Sequence, residues 1–185
     1  MNKRPFIILS AFLLLFSLIE KGQATETYRP ETSVAGFIQL PGSGRQGDVR
    51  GAEAVNFDDR SWNVVSTPHT VELMPAEGSG CRNYQGPAWY RKHFVLPAET
   101  KGQRVVLHFE AAMGKQILYL NGKRIQEHLG GYLPFTLDLT ANGVQAGDSC
   151  LLAVFTDNSD DKSYPPGKRQ YTLDFAYHGG IYRDV

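Results

Sequence analysis

Between Trp89 and Thr156 the chain is written in short runs whose apolar residues fall on alternate positions, each run closed by Gly, Pro or Asn. A repeat of two places successive side chains on opposite faces, so these runs predict half-buried strands, and nothing after the N-terminal segment shows the 3.6-residue repeat of a helix. Trp89–Val95 is the first clear run. In Arg104–Glu110, Val105, Leu107 and Phe109 share one face, while Val106, His108 and Glu110 take the wetter one. Lys115–Leu120 and Lys123–His128 flank Asn121-Gly122, the dipeptide that best tolerates the positive φ angles of a tight hairpin turn. Phe135, Leu137 and Leu139 alternate again, and Cys150–Thr156 is nearly all apolar, as a central strand buried on both faces would be. Many short strands between turn signals predict an all-β fold, a β-sandwich or barrel, and the jelly-roll sandwich is the reading adopted. A short apolar stretch at Phe37–Leu40 predicts a lead-in strand.

The N-terminus is organised differently. Two basic residues, Lys3 and Arg4, precede an apolar run from Phe6 to Ile19, and Gly22-Gln23-Ala24 places small residues before Thr25. The run is shorter than the roughly 20 residues that span a bilayer, so residues 1–24 are predicted to be a signal peptide and residues 25–185 one domain. Export to the periplasm or the extracellular space is the corresponding expectation. Basic and acidic residues number 19 each and are interspersed, which excludes the basic footprint of a nucleic-acid binder. Cys81 and Cys150 are the two cysteines; export would allow them to pair, but they lie far apart in a chain with enough apolar residues for a core, so two separate thiols are the favoured reading and a disulfide the alternative. The five histidines show no metal-ligand spacing, and the doublets Asp58-Asp59 and Asp160-Asp161 lack the spaced loop that Ca²⁺ requires. No metal or other cofactor is expected.

Residues 157–180 form a polar and aromatic stretch too long to be an ordinary connection, and such loops carry function more often than the elements they join. Asp157-Asn158-Ser159 at its start has two readings: an Asx turn closing a strand, or a carboxylate and an amide able to accept from and donate to the hydroxyls of a ligand. Tyr164, Tyr171, Phe175 and Tyr177 either present flat faces to a ligand or pack the loop onto the sandwich. Trp62, Trp89 and Tyr90 are expected in the core or at a domain interface, and His93 and His108 as structural strand residues.

An ordered set of motifs gives these features a context: Phe57-Asp58-Asp59-Arg60-Ser61-Trp62, Thr67-Pro68-His69, Gly86-Pro87-Ala88-Trp89-Tyr90-Arg91-Lys92, Leu118-Tyr119-Leu120-Asn121-Gly122-Lys123, Gly130-Gly131-Tyr132-Leu133-Pro134-Phe135, Thr156-Asp157-Asn158-Ser159 and Gly179-Gly180-Ile181-Tyr182-Arg183-Asp184-Val185. Over residues 55–185 the chain resembles the N-terminal sugar-binding domain of family 2 glycoside hydrolases of the β-galactosidase and β-glucuronidase type. Where that family commonly has Pro-His-Asp-Trp, this chain has Pro68-His69-Thr70-Val71.

The resemblance implies a galactose-binding-domain-like jelly roll, with Asp157 and Asn158 as substrate-binding residues that hydrogen-bond a sugar hydroxyl. It also implies partners: a β-linked sugar or oligosaccharide, and the immunoglobulin-like and (β/α)8 barrel domains of a complete enzyme. The two catalytic carboxylates of a retaining hydrolase would lie in that barrel, which alone needs about 250 residues. No catalytic residue is therefore expected here, and the chain reads as the N-terminal portion of a secreted glycosidase, most simply a β-galactosidase. A free-standing carbohydrate-binding module and a purely structural sandwich are the competing readings.

Overall fold

The computed structural model describes residues 33–37, 48–72, 84–173, 175 and 177–185. The predicted signal peptide (residues 1–24), the stretch 38–40 and Cys81 lie outside the described residues. Among the described residues the sheets are built from eight strands: β1 (Ser33–Phe37), β2 (Asn63–Ser66), β3 (Pro87–Val95), β4 (Val106–Phe109), β5 (Lys115–Leu120), β6 (Lys123–Leu129), β7 (Phe135–Asp138) and β8 (Ser149–Asp157). They form a six-stranded sheet in the order β2-β1-β3-β8-β5-β6 and a two-stranded sheet of β4 and β7, every described pairing being antiparallel. The lead-in strand lies at Ser33–Phe37, so it meets the predicted Phe37–Leu40 stretch only at its last residue.

The alternation read in the sequence becomes the division of side chains between two faces. Tyr90, Leu118, Leu120, Leu152 and Val154 point inward from the large sheet and pack with Leu107, Phe109, Phe135 and Leu137 of the small one in a single buried cluster. Phe109 stacks on Phe135 with ring centroids 4.6 Å apart, and His128 of β6 crosses to the same ring at 4.2 Å, so the two sheets close on each other as an all-β sandwich. On β4 the alternation understates burial, since Val106 is enclosed as well. β8 lies between β3 and β5 with Leu151 to Val154 all buried, as its continuous apolar run requires. The β5–β6 hairpin turns on Asn121 (φ 51°) and Gly122 (φ 81°), the left-handed pair that Asn-Gly was expected to supply.

The outer face of the large sheet is covered by the segment before β2. Trp62 and Ala52 pack there against Trp89 and Ala153, with Val49, Phe57, Tyr119 and Phe155 around them. Arg91 of β3, 0% exposed, ties that cover down. Its Nε donates to Asp59 Oδ2 at 2.7 Å, Nη1 donates to the carbonyls of Ala52 and Ala54, and the guanidinium lies 5.4 Å from the Phe57 ring. Removing the partner carboxylate would leave a buried charge uncompensated, which is why the motif acid Asp59 and Arg91 belong together. Cys150 is a buried free thiol at the start of β8.

Candidate functional site at the end of the central strand

β8 ends at Asp157, whose Cα partners are Pro87 at the start of β3 and Lys115 at the start of β5. Three strands of the large sheet thus deliver one end of the sandwich to a single place, and the loop that begins at Asn158 is folded over it. A Cβ on Gly114 (φ 85°) would overlap the Asp157 carbonyl oxygen, so the backbone before β5 passes against this strand end as only glycine permits.

Asp157 is half-buried, and its Oδ1 accepts from the Ser159 backbone N–H at 2.8 Å. This is the Asx turn that the sequence offered as one of two readings. The turn occupies one oxygen, and the structure records no described residue donating to Oδ2.

Asn158 is placed otherwise. Its side chain is 1% exposed; Oδ1 accepts from Gly86 N–H at 2.9 Å, and Nδ2 donates to the carbonyls of Tyr84 at 2.7 Å and Tyr177 at 3.4 Å. The amide reads a backbone donor and two backbone acceptors, which fixes its orientation and uses both donor hydrogens. The two predicted substrate-binding residues are therefore neighbours with different duties: the structure brings Asp157 to the surface and turns Asn158 inward, where it joins chain segments about 70 residues apart in sequence.

Asp160 was read in the sequence only as half of an acidic doublet. Its Oδ1 accepts from Tyr177 Oη at 2.7 Å, Gln85 Nε2 at 2.9 Å and Gln170 N at 2.9 Å, and Gln85 also donates to Tyr177 Oη at 3.0 Å. Partial burial opposes ionisation, but the bonds from Tyr177, Gln85 and the Gln170 backbone outweigh it and hold the Asp160 carboxyl below its ordinary value. Burial, followed by the bond to this carboxylate, pushes the Tyr177 phenol well above the usual range. Tyr84 donates its hydroxyl to the Pro87 carbonyl at 2.5 Å, which orders the approach to β3. Asp161 makes a second small turn, accepting from Ser163 N and Oγ at 2.7 and 2.6 Å.

The loop's aromatic residues divide. Tyr177 is 3% exposed and packs the loop down, whereas Tyr171 and Phe175 are exposed beside it. Arg169 donates to Tyr171 Oη at 2.7 Å, and its guanidinium lies 5.8 Å from that ring, so it is occupied within the loop. Trp62, Trp89 and Tyr90 are buried as expected, and His93 and His108 are strand residues. Among the described residues no group of three or more His, Cys, Asp or Glu side chains converges. The grouping of Gln85, Asp160 and Tyr177 escaped the sequence reading, in which Tyr177 stood only as a loop aromatic and Asp160 only in an acidic doublet, because no periodic or motif signal links positions 85, 160 and 177; the adjacency of Gln85 to the Gly86-Pro87 motif was the one available pointer.

Comparison with known proteins places this geometry. The family described as glycosyl hydrolases family 2, sugar binding domain, matches residues 52–185. A β-galactosidase of Thermoanaerobacter pseudethanolicus is 36% identical over 138 residues, which is 75% of this chain and 18% of that protein. A β-glucuronidase of Formosa agariphila is 31% identical over 148 residues, 72% of this chain and 15% of that protein. Among solved structures, β-glucuronidase 2 of Bacteroides uniformis, covalently bound to cyclophellitol-6-carboxylate aziridine, superimposes with a TM-score of 0.66 at 31% identity, covering 80% of this chain and 16% of that one. The chain thus spans less than a fifth of the length of each of these relatives.

Proposed function

Since the chain belongs to glycosyl hydrolases family 2 through its sugar binding domain, we propose that it forms the substrate-binding N-terminal part of an exported β-glycosidase, with a jelly-roll topology and β-galactosides as substrates. The observation that carries the reading is the Asp157 carboxylate: it stands at the end of the central strand with Oδ1 fixed by the Ser159 amide and no described residue recorded as donating to Oδ2. A carboxylate so held accepts from a sugar hydroxyl without first losing rotational freedom, and charge-assisted bonds of this kind are the stronger ones. Asn158 contributes by holding the strand end in place.

The hydrolytic step itself belongs to a retaining pair of carboxylates in a barrel domain of the complete enzyme, which the immunoglobulin-like domain joins to this one. In this chain's portion the chemistry is recognition: Asp157 orients the sugar so that its glycosidic bond is presented to those groups. The choice of galactosides over glucuronides rests on the relative with 36% identity being a β-galactosidase. The signal peptide at residues 1–24 supports export.

The complete enzyme should be assayed with 4-nitrophenyl β-D-galactopyranoside and the corresponding glucuronide. Galactoside is expected to be the better substrate, and Asp157→Ala should lower kcat/KM by roughly 10- to 100-fold, the loss of one charge-assisted hydrogen bond. An unchanged kcat/KM in Asp157→Ala would remove this residue from the site, and a preference for glucuronide would overturn the substrate assignment.

A further inference from the structure

The four residues Asp157–Asp160 are fastened to the rest of the molecule one after another. Asp157 Oδ1 closes on Ser159 N–H, the Asn158 amide takes Gly86, Tyr84 and Tyr177, and Asp160 Oδ1 gathers Gln85, Gln170 and Tyr177. Asp160 gathers three segments: the approach to β3 and the chain leading to Gly179, which Asn158 also joins, and the short 3-10 turn at Gln170–Thr172, which it adds to them. Tyr177 is shared with Asn158, and Gln85 lies between Asn158's partners Tyr84 and Gly86, so the two side chains fasten neighbouring residues at the same strand end.

We infer that Asp160 is a positioning residue of the sugar site, acting through Asp157 by fixing the loop that carries Ser159, whose N–H orients the Asp157 carboxylate at the end of β8. The inference rests on the reading of Asp157 as the sugar-facing group. Asp157 is held in the β8 ladder opposite Pro87 and Lys115 and Asn158 by its own bonds, and beyond them three donors on one oxygen fasten the chain at Asp160. Without those donors the chain loses its fastening just past Asn158, and the Ser159 N–H that orients Asp157 sits between a fixed and a freed residue. A displacement of the order of 1 Å in a positioning group costs up to about 100-fold in rate.

The test is a double-mutant cycle in the complete enzyme with a 4-nitrophenyl β-galactoside. Asp160→Ala is expected to lower kcat/KM about tenfold. Asp160→Asn should restore most of it, because the amide oxygen still accepts the same donors. In the Asp157→Ala background, Asp160→Ala should add less than about a twofold loss, since the group it acts through has gone. Losses that multiply, or an Asp160→Ala enzyme as active as the parent while Asp157→Ala is impaired, overturn the inference.

A second readout is independent of turnover. Hydrogen exchange in the peptide containing Ser159 should quicken in Asp160→Ala and stay normal in Asp160→Asn; unchanged protection in the alanine variant also overturns it. Should Asp157→Ala prove fully active while exchange quickens, the sugar-site reading fails and Asp160 retains its structural role at the strand end alone.

Discussion

The inter-sheet core and the loop over the end of β8 are held by opposite means. Between the sheets, Leu118, Leu137, Leu152, Val154 and Phe109 are packed by shape and apolar area. In the loop, Asn158 and Asp160 hold the backbone by hydrogen bonds to groups as far away in sequence as Tyr84 and Tyr177. The core tolerates apolar side chains that keep its volume, because dispersion and burial are not directional. The loop depends on particular atoms at particular distances, because a stranded buried donor or acceptor costs its full desolvation. One region is robust and carries no chemistry; the other is specific and presents a carboxylate.

The sharpest way to test this contrast is to open the core. Phe109→Ala deletes a fully buried ring that stacks on Phe135, and should destabilise the chain by about 3–5 kcal/mol in urea denaturation. Phe109→Leu should recover much of the loss, and failure to do so would mean that the core also demands specific geometry.

A smaller loss, about 2 kcal/mol, is expected from Asn158→Ala, which strands the buried Gly86 N–H. Its signature is regional: hydrogen exchange should accelerate through 157–180 while the β3–β8 ladder remains protected. Uniform acceleration would mean that the loop and the sheet form one cooperative unit.

Gln116 breaks the rule from the other side. It lies on the inner face between its Cα partners His128 and Thr156, is 0% exposed, and among the described residues neither its amide nitrogen nor its oxygen has a hydrogen-bond partner. Gln116→Met keeps the volume and removes the unpaired polar atoms, so the variant should gain about 1 kcal/mol. A loss would show that the amide is satisfied in solution.

The smallest effect is titration. Burial lowers the His69 and His128 values below 6.5, so the unfolded chain takes up protons more readily than the folded one. Their contribution is complete above the unfolded value and is lost as pH falls below 6.5 through the folded values. Denaturation midpoints measured from pH 8 to pH 5 should therefore decline on the acid side, and flat midpoints in a His69→Asn, His128→Asn double variant would assign the decline to these rings.

The strands were legible because their code is local. The two-residue repeat of Phe135-Thr136-Leu137-Asp138 and the Asn121-Gly122 turn each lie within a few residues, and the apolar run Cys150–Thr156 announced the central strand. The ordered motifs likewise carried the family. Asp157 was legible as a candidate but not as a half-occupied carboxylate, because its availability depends on which oxygen the Ser159 amide takes.

Sequence alone determined the all-β class, the positions of β3 to β8 and the family, since each follows from residues close together along the chain, whereas β2 was not read and β1 met its predicted stretch only at Phe37. Only the tertiary structure decided that Arg91 is buried beneath residues 52–59, that Asn158 turns inward while Asp157 faces out, and that Asp160 gathers Gln85, Gln170 and Tyr177. Those outcomes depend on which groups meet after long segments of chain have closed on one another, and a hydrogen bond between residues 75 or 92 positions apart leaves no period in the sequence that precedes it.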